Sequence, residues 1–141
     1  MINLWASWCP ACLEELSDWK AYQNDLSSAG IEVITISTDL IDGREDTSAN
    51  TTRSALDKLS IPFAAGIADE ELYTRLRQAH NWPFLRRIPM PVPTSFLVDG
   101  QGRLTAIYRG AISASQIIAD TKLFPLNHND LLAASLPFPG R

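Results

Sequence analysis

Apolar residues in this chain recur with two different periods, and the switches between them mark out the elements. Ile2-Asn3-Leu4-Trp5-Ala6 is a short apolar run of the kind that forms a buried strand, and it leads into a Ser-Trp-Cys-Pro turn. From Ala11 the spacing becomes helical: Leu16, Trp19 and Leu26 share one face with Cys12, which predicts a helix over about 11–28 that stops at Gly30. Pro10 suits the first turn of that helix, where its missing N–H leaves nothing unpaired. The β-branched run Ile31–Thr38 reads as a strand, 39–48 as a polar loop and 51–59 as a helix. A short strand over 63–68 follows, then a helix opened by Asp69-Glu70-Glu71 and reaching about His80. Residues 82–93 form a loop with four prolines. Thr94–Val98 and Arg103–Tyr108, joined by Asp99-Gly100-Gln101-Gly102, predict a hairpin. Ser113 is placed to cap a last helix that runs to about Leu123.

The order is therefore a βαβ half and a ββα half with a strand–helix segment inserted between them, an α/β layered arrangement. A chain of 141 residues is enough for one such domain. Residues 1–123 are assigned to the domain and the proline-bearing stretch 124–141 to a tail or linker. Opening four residues from a buried strand, the chain reads as lacking sequence in front of it. Hydrophobic residues make up 45% and charged residues 20%, an ordinary globular balance. The net charge of −4 argues against a nucleic-acid partner, which calls for basic patches. No apolar run is long enough to span a bilayer.

The chemistry concentrates in Cys9-Pro10-Ala11-Cys12. These are the only two cysteines, so no disulfide framework is available and the pair is either redox-active or half of a metal site. Zinc needs four ligands; no second C-x-x-C exists, and the only histidines, His80 and His128, lie far apart in sequence and are read as structural. No metal is expected. At a helix N-terminus, the free N–H groups and the macrodipole favour a thiolate. Cys9, just before the helix, is expected to be the more exposed, lower-pKa nucleophile, and Cys12 the buried resolving thiol.

The string Asn3-Leu4-Trp5-Ala6-Ser7-Trp8-Cys9-Pro10-Ala11-Cys12 resembles the active-site strand of the thioredoxin superfamily, and most closely its extracytoplasmic TlpA- and ResA-like branch. Asn3 stands where cytosolic thioredoxins carry a buried aspartate, and Glu15 stands three residues after the second cysteine, as in that branch. Val92-Pro93-Thr94-Ser95-Phe96-Leu97-Val98-Asp99 is similar to the family's cis-proline loop and the hairpin after it. The resemblance covers about residues 2–122. It implies a thioredoxin-like fold, a central mixed sheet flanked by helices, from which the family's N-terminal strand or strands are missing. It implies a cis Val92–Pro93 bond with the Val92 backbone facing the sulfurs, and a substrate surface of Trp8, Pro10, Val92, Pro93 and Thr94. It also implies exchange with protein disulfides or dithiols in the reducing direction, an upstream thiol electron donor, no cofactor beyond the Cys9–Cys12 disulfide, and an extracytoplasmic bacterial setting with a membrane tether outside this sequence.

Several residues carry two readings. Glu15 is a carboxylate able to move the Cys12 proton, or a solvated helix glutamate. Trp8 flanks the site, or packs on the helix start. Trp82, Arg86 and Arg87 contact a partner, or are solvated loop residues. A protein-binding module that keeps the fold is the rival to an enzyme. A peroxidase of the same superfamily needs Thr-x-x-Cys, and Ala6 occupies the threonine's place.

Overall fold

The computed structural model describes residues 1–83 and 87–123. Five strands form one sheet: β1 (Ile2–Trp5), β2 (Ile34–Ser37), β3 (Ala64–Ile67), β4 (Thr94–Val98) and β5 (Leu104–Arg109), in the order β3-β2-β1-β4-β5. β1, β2 and β3 run parallel, with Ile2 opposite Ile34 and Ile34 opposite Ala64; β4 is antiparallel to β1 and to β5. The inserted strand expected between the two halves is β3, an edge strand with all four residues exposed. The β4–β5 hairpin forms as its turn residues predict, with an irregularity at Leu97/Val98. The fold is thioredoxin-like, a mixed sheet with helices packed on it.

Among the described residues the helices are α1 (Pro10–Ala21), α2 (Gln23–Ser28), α3 (Ala49–Leu59), α4 (Glu70–Asn81) and α5 (Ala114–Thr121). The single helix expected over 11–28 is broken at Tyr22, whose backbone (φ −103°, ψ 19°) departs from helical dihedrals. Residues 20–25 are all exposed, so no packing holds the axis straight there. The core-facing residues before the break are Cys12, Glu15, Leu16 and Trp19, at helical spacing, and α2 returns Leu26 to the core. Gly30 ends the segment with φ +74°, a left-handed stop that suits glycine.

Helix α3 begins two residues earlier than the apolar pattern suggests. Ser48 and Thr51 form a reciprocal capping box: the Ser48 N–H donates to Thr51 Oγ1 at 2.8 Å, and the Thr51 N–H to Ser48 Oγ at 3.3 Å. Asp69 is the cap of α4, not part of its first turn. Ser113 caps α5 as expected, and the Asp18 carboxylate accepts the Ala114 N–H at 2.8 Å, tying that helix end to α1.

The main core joins Trp5 of β1 and Leu97 of β4 to Leu16, Trp19, Leu26 and Ile117 of the helices. Each fully buried leucine there contributes on the order of 2 kcal/mol. Cys9 and Cys12 belong to this cluster, so the reactive turn is fastened to the best-packed part of the molecule.

Candidate active site

Cys9 is the N-cap of α1, in extended conformation (φ −94°, ψ 104°), and Pro10 is the first helical residue. The Cys12 N–H donates to Cys9 Sγ at 3.2 Å, and the two sulfurs form a disulfide. The sulfur of Cys9 thus sits where the free N–H groups of a helix converge, a setting that favours negative charge. Cys9 is less accessible than the sequence suggests, at 5% exposed, whereas Cys12, at 0%, is buried as expected. The order is as expected, but Cys9 is shielded, because the 92–93 loop lies across it. Cys9 Sγ is 3.7 Å from the Val92 carbonyl oxygen.

The Val92–Pro93 peptide is cis. Pro93 is buried and its carbonyl accepts the Gly110 N–H at 2.9 Å. Thr94, grouped with the substrate surface in the sequence reading, is fully buried and donates its hydroxyl to Pro91 O at 2.6 Å. Its side chain holds the loop and offers nothing outward. The exposed rim of the site consists of Trp8, Pro10 and Ala11, with Val92 partly exposed opposite them.

Glu15 is buried, one helical turn beyond Cys12 on the same face of α1. Its Oε2 accepts from Asn3 Nδ2 at 2.8 Å and its Oε1 from the Ile112 N–H at 2.9 Å. Burial raises its pKa from the usual 4.5 to about 7; the two hydrogen bonds resist that rise, and the nearby Asp18 charge adds to it. A carboxyl with that pKa both gives and takes a proton near neutral pH. Asn3 Nδ2 also donates to Ser95 Oγ at 2.9 Å, so β1, β4 and α1 meet at one amide. Among the described residues the Asn3 Oδ1 atom is buried without a hydrogen-bond partner.

A second buried carboxylate lies in the segment 39–48, whose composition predicts only a polar loop. Asp39 is 2% exposed. Its Oδ1 accepts the Ser7 N–H at 2.9 Å and its Oδ2 accepts the Thr52 hydroxyl at 2.5 Å. Asp42 Oδ2 accepts the indole N–H of Trp8 at 3.1 Å, and the Arg44 guanidinium lies 4.8 Å from the Trp8 ring centroid. The loop therefore grips Ser7 and Trp8 just ahead of Cys9. The usable signal was an aspartate placed directly at the end of a parallel strand, next to a turn that carries the reactive group.

The remaining expected residues lie elsewhere. His80 is buried, and burial together with the positive Arg109 lowers its pKa. Trp82 is 89% exposed and Arg87 is exposed. Arg86, His128 and the stretch 124–141 fall outside the described residues. Among the described residues no group of three or more His, Cys, Asp or Glu side chains could hold a metal ion, and no helix is long and apolar enough to cross a membrane.

Comparison with known proteins agrees with this geometry. A model of the AhpC/TSA family matches residues 1–107. The chain is 29% identical over 126 residues to the thiol:disulfide interchange protein DsbE of Pasteurella multocida, covering 89% of this chain and 58% of that protein. It is 21% identical over 117 residues to the sporulation thiol-disulfide oxidoreductase A of Bacillus subtilis, covering 83% and 62%. The chain thus spans about three fifths of the length of these curated relatives. Among solved structures, a thioredoxin family thiol:disulfide interchange protein from Chlorobium tepidum superposes with TM-score 0.65 at 23% identity, over 86% of this chain and 76% of that one. The match over residues 1–107, with the fold and the cysteine pair, establishes that the chain belongs to the AhpC/TSA family, within the thioredoxin superfamily.

Proposed function

We propose that this chain is a thiol–disulfide oxidoreductase domain that reduces protein disulfides through Cys9 and Cys12. The observation that carries the reading is the placement of the Cys9–Cys12 disulfide at the N-terminus of α1, with Cys9 against the Val92 carbonyl and the buried Glu15 one helical turn beyond Cys12. The relatives named as thiol:disulfide interchange proteins support the same activity.

In the reduced protein, the Cys9 thiolate attacks one sulfur of the substrate disulfide. A Cys9–substrate disulfide forms, and the other substrate sulfur leaves as a thiolate and takes up a proton. Cys12 then loses its proton to the Glu15 carboxylate and attacks the Cys9 sulfur. The Cys9–Cys12 disulfide forms and the second substrate sulfur departs. Two electrons have passed to the substrate, and a thiol donor upstream restores the dithiol by the reverse exchange. No metal or organic cofactor enters. The exposed rim of Trp8 and Pro10 and the partly exposed backbone of Val92, held by Pro93 and Thr94, would receive an extended substrate segment. Its resemblance to the TlpA- and ResA-like branch supports an extracytoplasmic, membrane-tethered setting.

The test is a redox titration of the Cys9–Cys12 pair against glutathione and dithiothreitol buffers, with Cys9→Ser as the control. A potential near or below about −250 mV places the pair with reductants of the thioredoxin kind. A potential near about −120 mV would make it an oxidant and reverse the direction. If no two-electron transition is found, the exchange reading fails and a protein-binding module replaces it.

A further inference from the structure

A second surface lies on the approach to the disulfide. Arg77, Gln78 and Asn81 project from one face of α4, and Arg87, Ile88 and Pro89 face them across a cavity of about 420 Å³. Among the described residues no carboxylate lines it. Arg77 and Arg87 are both exposed, and neither has an ion-pair partner among the described residues. The surroundings add to the positive field: the Arg109 guanidinium donates to Pro89 O at 3.3 Å. In a chain of net charge −4, this concentration of guanidinium groups stands against the overall sign.

The two walls are held in place. Asn81 Oδ1 accepts the Ile88 N–H at 2.7 Å, which ties the loop back onto the end of α4. The loop wall then runs directly to the site. Pro89 is three residues from Val92, at most about 11 Å along the chain, and the Val92 carbonyl is 3.7 Å from Cys9 Sγ.

We infer that the Arg77–Arg87 cavity is a docking surface for an acidic, extended segment of the protein whose disulfide is exchanged. The inference rests on the exchange reading above and adds the chemistry of the preferred substrate: carboxylates three to five residues from the reacting cystine. Guanidinium groups suit this task because each presents a planar fork to a carboxylate. Continuity with Val92 favours a segment of the same substrate chain over a separate ligand.

The experiment uses two synthetic peptide disulfides that differ only in flanking residues, Asp/Glu in one and Asn/Gln in the other. The reduced wild-type protein exchanges with the acidic peptide about tenfold faster at low salt, from two contacts each worth about threefold. The preference vanishes near 1 M salt, where the Debye length is about 3 Å. The double variant Arg77→Glu/Arg87→Glu loses the preference, Arg77→Gln/Arg87→Gln weakens it, and Arg53→Glu on α3 leaves it intact. Far-ultraviolet circular dichroism confirms that each variant folds.

A cysteine-free acidic peptide, titrated by NMR, shifts the amides of 77–81, Arg87 and Ile88 whether or not exchange occurs. Failure of exchange with both peptides therefore removes the proposed function while docking is still read directly. Exchange without acidic preference, a preference unchanged in the double variant, or no amide shifts would overturn the docking surface. Tight binding of inorganic phosphate without any peptide preference would make the cavity a small-anion site and overturn it equally.

Discussion

Replacing Glu15 by glutamine keeps the shape of a side chain that is 3% exposed but removes its titration. In the folded protein this carboxyl has a pKa of about 7, against an ordinary 4.5. A group whose pKa is raised on folding binds more protons in the native state than in the unfolded one. The stability of the wild type therefore carries a component that is fully present below pH 4.5, falls between pH 4.5 and 7, and is gone above 7. At 1.36 kcal/mol for each pH unit, that component is about 3 kcal/mol. Two other groups act in the opposite sense. His80 and the N-terminal amine have lowered pKa values, so their contributions grow as pH rises toward their ordinary values. The difference between Glu15→Gln and wild type cancels them and isolates Glu15. The glutamine can still accept the Ile112 N–H; its own NH₂ requires Asn3 to turn its amide over and present Oδ1, an atom with no other hydrogen-bond partner among the described residues. Urea unfolding of the oxidised proteins at several pH values between 4 and 8 is the assay. Glu15→Gln gains up to about 3 kcal/mol over wild type at pH 8 relative to their difference at pH 4.5. A stability difference that is flat across this window would refute the account of a buried, proton-holding Glu15.

Asp39→Ala leaves the Ser7 N–H without its acceptor and takes from the buried Thr52 hydroxyl the shortest of its contacts; unfolding free energy falls by about 1–3 kcal/mol in urea titration, and a change under about 0.5 kcal/mol would show that the carboxylate holds nothing. Cys12→Ser leaves Cys9 as the only thiol, so a covalent substrate complex accumulates on non-reducing gels and dissolves with dithiothreitol, whereas Cys9→Ser yields none. The opposite pattern would make Cys12 the attacking residue.

The parts of the fold written locally in the chain were legible. The strand–turn–helix around Cys9 and Cys12, the β4–β5 hairpin with its Asp-Gly turn and the Ser113 cap each depend on residues a few positions apart. The break at Tyr22 was not legible, because the exposed residues 20–25 carry no pattern that distinguishes a bent helix from a straight one. Around the site, Glu15 and Asn3 stood at motif positions, but their meeting through a 2.8 Å hydrogen bond depends on α1 packing over β1. Asp39 was hidden for the same reason. Its environment is made by Ser7 and Thr52, which tertiary structure brings to it, while the sequence around it is as polar as any surface loop. Thr94 is the converse case: the family resemblance grouped it with the substrate surface, and the sheet buries its side chain.

The groups that embrace the cysteine turn are far from it along the chain, and this sets an order of events during synthesis. Asn3 meets Ser95 across 92 residues, Trp19 donates to Ile112 O across 93, and Asp18 and Glu15 accept from Ala114 and Ile112 across 96 and 97. On the ribosome, the two thiols emerge well ahead of Ser95, Ile112 and Ala114 and wait until these partners exist. Contacts of such separation are closed late and raise the contact order of the fold. Until residue 114 has cleared the exit tunnel, the cysteines belong to an unshielded nascent chain, open to whatever thiol chemistry its surroundings offer.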